Sequence, residues 1–298
     1  MTQTTLKKSY KFEGKGLHTG RYSYVCLKPG PVDSGIVFLR SDLGIAIPAI
    51  ARNVSSTARS TTLKCGRASV RTVEHVLSAL TGMGVDNAIV EINGREMPIL
   101  DGSAKPYVEA IAADGLKELN AERRWVELKK DVLVRNARTG GWIKIEPADR
   151  FSIDLTIDFK SSVIGRQTVS WSLEDDYLTE IAPCRTFCFL REIQLLALLG
   201  LVKGGDVENA IIVVDKPVSE RRIAIMAKLF SQPRLSVTPE GYLSNLQLRF
   251  PNECARHKML DIIGDLRLCG GFPKVRVTAY KPGHALNTQA AEQIRKSI

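Results

Sequence analysis

The sequence predicts an α+β protein, and three observations carry that prediction. Residues 151–159, FSIDLTIDF, alternate strictly: Ile153, Leu155, Ile157 and Phe159 share one face, and Ser152, Asp154, Thr156 and Asp158 the other, the period-two mark of a half-buried strand. Strand-like runs at 22–28 and 87–93 flank a stretch, 71–83, whose apolar residues recur at helical spacing. The mixture returns downstream, with strands read at 209–215 and 275–281 and helices at 219–230 and 253–268.

Taken in order, the elements fall into two α+β units, residues 1–122 and 123–298, with 119–124 read as the linker. In the first unit a second helix is expected after PILDGSA, where Ser103 can cap the N-terminus, Pro106 suits the first turn, and Tyr107 and Ile111 supply the apolar face. No repeat or low-complexity tract interrupts either unit.

A chain of 298 residues, 44% hydrophobic and 25% charged, can bury an ordinary core. The start, MTQTTLKKSY, has no apolar signal region, and the longest apolar stretch, LLALLGLV, is too short to span a bilayer, so a cytoplasmic protein without a transmembrane segment is expected. The six cysteines lack paired short spacings, which predicts reduced thiols; Cys184 and Cys188, spaced C-x3-C, have no second pair to complete a metal site and read as packing. A net charge of +10 points to an anionic partner. The basic pairs are scattered rather than striped, so nucleic acid is not the expected one.

Only four histidines occur, His18, His75, His257 and His284, so imidazole chemistry has few carriers. In RHKMLDIIGDL an advance of about 100° per residue brings His257, Asp261 and Asp265 onto one stripe, with Met259, Ile262, Ile263 and Leu266 opposite. The solvated face of an amphipathic helix explains that stripe equally well. TVEHVLSAL adds a second site, its apolar face of Val73, Val76, Leu77 and Leu80 leaving Glu74 and His75 to one side. An imidazole ligand next to a carboxylate that reaches water on the ion is an arrangement metallohydrolases use, here divided between distant helices. His75, His257 and Asp261 offer two nitrogens and an oxygen, which suits Zn2+ in a catalytic site whose fourth position stays open. Asp265 is then free to hydrogen-bond a neighbour, and His284, in AYKPGHALN, sits where a loop can present an imidazole.

With these motifs assembled, the chain resembles the UDP-3-O-acyl-N-acetylglucosamine deacetylase family, the zinc amidases that commit bacteria to lipid A synthesis. The resemblance runs nearly end to end, through GKGLHTG (Gly14 to Gly20), TVEH (Thr72 to His75), PILDGSA (Pro98 to Ala104), CRTFCF (Cys184 to Phe189), GLVKGG (Gly200 to Gly205), RHKMLDIIGDL (Arg256 to Leu266) and GHALN (Gly283 to Asn287). It implies that His75, His257 and Asp261 bind zinc and that Glu74 is the base acting on water at the metal. It further implies that Lys258 and His284 form a cationic pair at the reacting centre, that Asp265 orients His284, and that the Thr186 hydroxyl steadies the oxyanion. The implied reaction removes the N-acetyl group of UDP-3-O-(3-hydroxyacyl)-N-acetylglucosamine, releasing acetate and a free amine, with His284 protonating the amine.

For the substrate, the resemblance makes Phe159 the ring that stacks on uracil, with Asp158 beside it, and His18 the loop residue near nucleotide and sugar. The segment from Phe187 through Ile193 and Leu196 to Val202 is similar to an inserted βαβ unit, around 187–215, that encloses a tunnel for the acyl chain; Phe187, Ile193 and Gly205 are its implied contacts. From the residues alone, Phe159 is equally a packing residue and the insert a buried helix. The implied architecture is two similar α+β domains in a β-α-α-β sandwich, helices between two sheets, with the site between domains. A lysine that approaches the diphosphate in many members falls here near Gly141, with Lys144 close by, and that contact stays unassigned. An added helical segment containing SERRIAIMAKLF resembles the branch fused to a hydroxyacyl carrier-protein dehydratase, and this chain stops where such a partner would begin; a fused or separate dehydratase is therefore an expected partner. The amphiphilic substrate leaves room for peripheral membrane contact. Two rival readings stand beside this one: a zinc amidase for another acylated sugar, and a metal-free basic protein binding nucleic acid.

Overall fold

The computed structural model describes residues 1–193, 209–229, 232 and 234–297, and it carries one strand arrangement twice. In the first half, β2 (Tyr10–Lys15), β3 (Tyr22–Pro29), β4 (Ile36–Arg40), β5 (Ile45–Pro48) and β9 (Ala88–Ile92) form a sheet in the order β2-β3-β9-β4-β5. Every pairing in it is antiparallel except β4 with β9. In the second half, β12 (Val132–Asn136), β13 (Gly141–Pro147), β14 (Ser152–Asp158), β15 (Arg166–Ser172) and β18 (Phe272–Tyr280) run β12-β13-β18-β14-β15, antiparallel except β14 with β18, and the short β11 (Trp125–Glu127) adds a second parallel pairing on β18. In each half the strand made last enters the middle of the sheet. Helix α1 (Glu74–Gly82) precedes β9 and α2 (Lys105–Ala112) follows it; α5 (Glu253–Leu266) precedes β18 and α6 (His284–Lys296) follows it.

The alternation read at residues 151–159 appears in β14, where Ile153, Leu155 and Ile157 are buried, and Ala88, Val90 and Ile92 do the same in β9. These faces join one contiguous core that also takes in Val76, Leu77 and Leu80 of α1 and Met259, Ile262 and Ile263 of α5. Both helices are buried almost all round, α1 from Glu74 through Thr81 and α5 nearly throughout, as an inner layer requires. The solvated stripe that spacing alone allowed for them is not found. Gly264 lets α5 lie against α1: a β-carbon there would stand 2.1 Å from the Glu74 carbonyl oxygen. One and two turns further along α1, Tyr177 in α3 (Tyr177–Glu180) shares a 2.6 Å hydrogen bond with Ser78 and lies against Gly82.

Two readings of the sequence are corrected. Residues 119–124 are no linker: β10 (Leu116–Glu122) pairs antiparallel with β1 (Thr2–Leu6), and the polar composition suits an edge pair that buries little. The PILDGSA helix takes Ala104 as its cap position rather than Ser103, although the Ser103 hydroxyl accepts the Lys105 N–H at 3.1 Å while donating to Asp101 at 2.8 Å.

Between the halves' shared core and the surface, β16 (Phe187–Phe189) pairs parallel with β17 (Ile211–Val213), a pairing that needs a crossover. The chain enters a helix at Leu190; residues 194–208, which include Leu196, Val202 and Gly205, lie outside the described residues. The added segment forms α4 (Glu220–Leu229), whose Met226 and Ala227 join Leu190, Ile193, Ile212, Val214 and Leu243 in a second, smaller core. Among the described residues no helix is long and apolar enough to cross a membrane.

Replacing Gly264 by Ala tests the central helix contact. Helix propensity alone would favour Ala by about 1 kcal/mol. The clash reverses that sign, and Gly264→Ala is expected to lower the unfolding free energy by about 1–3 kcal/mol, measured by urea denaturation.

Candidate active site

The turn that starts α1 sets the site. β8 (Ala68–Arg71) ends, Thr72 adopts a left-handed φ of 59°, and the helix begins two residues later. A β-branched residue there costs on the order of 1–3 kcal/mol and persists only if its surroundings hold it. Arg71 is bonded through its backbone to Arg95 and Met97, and the Thr72 hydroxyl donates to Glu96 at 3.3 Å. The result aims Glu74 and His75, 2% and 6% exposed, at the polar stripe of α5, where His257 and Asp261 are each 2% exposed and Asp265 is fully buried.

Asp261 Oδ1 lies 3.4 Å from His257 Nε2 and 3.9 Å from His75 Nε2, and the three residues offer donor atoms within 4.8 Å of one another. His257 Nδ1 stands 3.0 Å from the Cys184 carbonyl; it therefore carries the proton and leaves Nε2 a bare lone pair. Burial, with His257 alongside, lowers His75 to about 3, and burial also lowers His257, so both imidazoles rest in the neutral form that ligates metals. Burial by itself would raise Asp261, but Lys258, His257 and His284 outweigh it and hold the carboxyl well below its usual range. Asp261 Oδ2 accepts Lys258 Nζ at 2.7 Å, while Oδ1 is buried with no hydrogen-bond partner. A charged oxygen left so is costly, and a cation shared with the two histidines is the group that would satisfy it. The donor set thus fits a divalent ion.

Beside this set lie the groups that can move protons. His284 opens α6; its Nδ1 donates to Asp265 Oδ2 at 2.9 Å, and its Nε2 stands 4.0 Å from both Glu74 Oε1 and Asp261 Oδ2. Burial opposes a charge on His284, yet Asp265, Asp261 and Glu74 together lift it to about 9. Burial raises Glu74 to about 7, opposed by His284. Glu74 Oε2 accepts the Thr61 N–H at 3.0 Å, and the Thr61 hydroxyl donates to Asp265 Oδ1 at 2.6 Å. Thr61 was not legible as a site residue, because nothing in STTLKC marks it by spacing.

The remaining candidates sit at graded distances. Lys258 Nζ lies 5.5 Å above the Phe187 ring, which stands 6.4 Å from that of His257. Phe159, just past the end of β14, packs on Phe187 and Phe189 with centroids 5.6 and 5.7 Å away. Thr186 lies between Cys184 and Phe187, its N–H on the Gly102 carbonyl at 2.8 Å. Asp158 is engaged by the Tyr280 hydroxyl at 2.5 Å and Lys281 at 3.2 Å. The His18 N–H donates to Glu96 at 2.8 Å; burial and Arg71 lower its imidazole to about 4, and its Nε2 is buried without a partner. Ile193 belongs to the smaller core, not to this cluster. Lys144 is held by Glu146 and Asp131.

Two supporting features escaped the sequence reading. Arg185 and Glu253, both buried, are joined by bonds of 2.9 and 3.1 Å, and Glu253 also accepts the Arg185 and Arg249 N–H groups. Asp101 of PILDGSA accepts Arg249 at 3.1 Å, and Gly102, with φ 84°, passes so close to Asn209 that a β-carbon would sit 1.8 Å from its carbonyl oxygen. PILDGSA thus braces the CRTF segment rather than contributing to the cluster.

A buried two-histidine, one-aspartate donor set with a carboxylate and an acid-paired imidazole beside it defines a candidate mononuclear metallohydrolase centre on a duplicated α+β fold. The model of the family described as UDP-3-O-acyl N-acetylglycosamine deacetylase matches residues 3–228 and 231–296, and the chain belongs to that family. It is 41% identical over 99% of its length to a bifunctional enzyme LpxC/FabZ of Porphyromonas gingivalis, and spans 64% of that protein. It is 41% identical to a UDP-3-O-acyl-N-acetylglucosamine deacetylase of Teredinibacter turnerae, covering 99% of this chain and 90% of the relative. A protein of the same name from Anaeromyxobacter sp. is 40% identical, with 98% and 88% covered.

Glu253→Ala leaves the buried Arg185 guanidinium without a carboxylate, with only the Gln247 carbonyl to accept from it. It is expected to cost about 3–5 kcal/mol of stability in urea denaturation, far beyond a surface charge deletion.

Proposed function

We propose that this chain is a zinc-dependent amidohydrolase that removes the N-acetyl group from UDP-3-O-(3-hydroxyacyl)-N-acetylglucosamine in lipid A biosynthesis, giving the free amine and acetate. The observation that carries the reading is the unpartnered, buried Asp261 Oδ1 facing two histidine Nε2 atoms, with Glu74 and His284 alongside. Membership of the deacetylase family, and relatives of that name matched over nearly their whole length, support the substrate class.

His75, His257 and Asp261 hold the ion, which when bound supplies Lewis-acid polarisation of the amide carbonyl and a nucleophile at neutral pH. Glu74 takes the proton of the attacking water on Oε1, the oxygen that Thr61 leaves free. The water oxygen bonds to the acetyl carbon, and the charge that collects on the former carbonyl oxygen is steadied by the Thr186 hydroxyl and the Lys258 ammonium. The carbon–nitrogen bond breaks as His284 Nε2 delivers a proton to the departing nitrogen, its Nδ1 remaining on Asp265. The proton on Glu74 then restores His284, 4.0 Å away. Phe159 and Phe187, both half-buried and backed by the buried Phe189, offer an aromatic surface at one side for the uracil and the start of the acyl chain, with Asp158 and His18 as further polar contacts.

A cytoplasmic site of action is part of the same reading, and an amphiphilic substrate leaves room for peripheral membrane contact. A hydroxyacyl carrier-protein dehydratase, fused or separate, is its expected partner, a reading supported by the bifunctional names of relatives of which this chain spans 64–65%.

Zinc content and acetate release from the acylated UDP-sugar are the deciding measurements. The purified chain is expected to carry about one zinc and to lose activity on chelation. His75→Ala loses both metal and activity; Glu74→Ala keeps the metal and loses roughly 100-fold or more in kcat. Full activity in the chelated protein or in both variants would overturn the reading.

A further inference from the structure

Thr61 sits wholly buried in the short connection between β6 (Val54–Ser56) and β7 (Thr62–Cys65). Its N–H donates to Glu74 Oε2 at 3.0 Å and its hydroxyl to Asp265 Oδ1 at 2.6 Å, so one residue holds two carboxylates that are 191 positions apart in the chain numbering of Glu74 and Asp265. The second Asp265 oxygen accepts His284 Nδ1 at 2.9 Å and Asn287 Nδ2 at 3.0 Å. The ring closes where His284 Nε2 faces Glu74 Oε1 across 4.0 Å. Thr61 is itself anchored: its carbonyl accepts the Val73 N–H at 3.3 Å, and the Arg71 guanidinium grips the neighbouring Ser60 hydroxyl at 2.8 Å and Ala58 carbonyl at 2.9 Å.

A carboxylate turns readily about its last side-chain bond, where the torsional wells are broad. Asp265 bonded on one oxygen alone keeps that freedom, and His284 would follow it. Bonding the other oxygen to Thr61 removes it. We propose that Thr61 is a positioning residue whose hydroxyl fixes the rotation of Asp265, and thereby the direction in which His284 presents Nε2, while its N–H holds Glu74 at a set distance from that imidazole. The inference rests on the roles proposed above for Glu74 and His284.

The test compares the zinc-loaded full chain with Thr61→Val, which keeps the branched shape and the N–H but removes the donor, and Thr61→Ser, which keeps the donor. Thr61→Val is expected to lower kcat roughly 10–100-fold with KM changed by less than about threefold, and Thr61→Ser to stay within about threefold of the unmodified chain. Independently of turnover, the downfield proton resonance of His284 Nδ1–H, assigned by its loss in His284→Ala, is expected to shift or broaden in Thr61→Val and to persist in Thr61→Ser. Equal losses in the two variants, or an unmoved resonance in folded Thr61→Val, overturn the proposal. If Thr61→Val does not fold, Thr61→Ala combined with Asp265→Asn decides it: a double variant no slower than Asp265→Asn alone supports action through Asp265, and multiplied losses overturn it. An unmodified chain that releases no acetate, yet shows the resonance response, sinks the functional reading and leaves the positioning role standing.

Discussion

Ionised side chains stay inside a protein only when each is paired, and the contact between α1 and α5 is where this chain meets that constraint. Glu74, Asp261, Asp265, Lys258 and His284 crowd one buried seam with two neutral histidines. Lys258 answers one oxygen of Asp261, while His284, Asn287 and Thr61 answer Asp265. Among the polar atoms of these carboxylates, the one that burial isolates is Asp261 Oδ1, and it points at the two imidazole nitrogens. The deficit of the whole seam is concentrated at the place where a cation would be held.

The fold makes the seam possible by building the same half twice. In each half a helix leads into the middle strand of the sheet, so packing the halves sheet-outward brings α1 and α5 together as an inner pair. Equivalent helices need not carry equivalent chemistry. α5 carries His257, Lys258, Asp261 and Asp265 along one stripe, whereas α1 brings only Glu74 and His75, from its first turn. That difference explains the local irregularities: α1 needs the left-handed Thr72 to aim its first turn inward, and α5 needs Gly264 to come close enough for Glu74 to share the seam.

How much of this was legible in the sequence follows from what kind of signal each part leaves. Strand β14 and helix α5 announce themselves through side-chain period, and His257, Asp261 and Asp265 through helical spacing. Spacing could not tell a wet stripe from a buried one, because that depends on a partner helix far away in the chain; the resemblance to a family decided it. Residues 119–124 misled, since an edge strand paired with the chain's first residues buries little and so reads as linker. Thr61, and the Cys184 carbonyl that sets the His257 tautomer, left no signal at all. Each acts through a backbone group or one hydroxyl placed by tertiary structure, which no pattern of residue types encodes.

The same charges bear on what the seam attracts. With His284 protonated and Glu74 ionised, three carboxylates face two cationic side chains, a balance that repels an anionic ligand. A divalent ion held by His75, His257 and Asp261 would invert that balance and would favour the charged form of Glu74, in opposition to the burial that raises it. Such an ion would therefore do more than complete the donor set. It would turn a seam of net negative charge into one of net positive charge, one that attracts an anionic ligand while keeping the Glu74 carboxylate ionised.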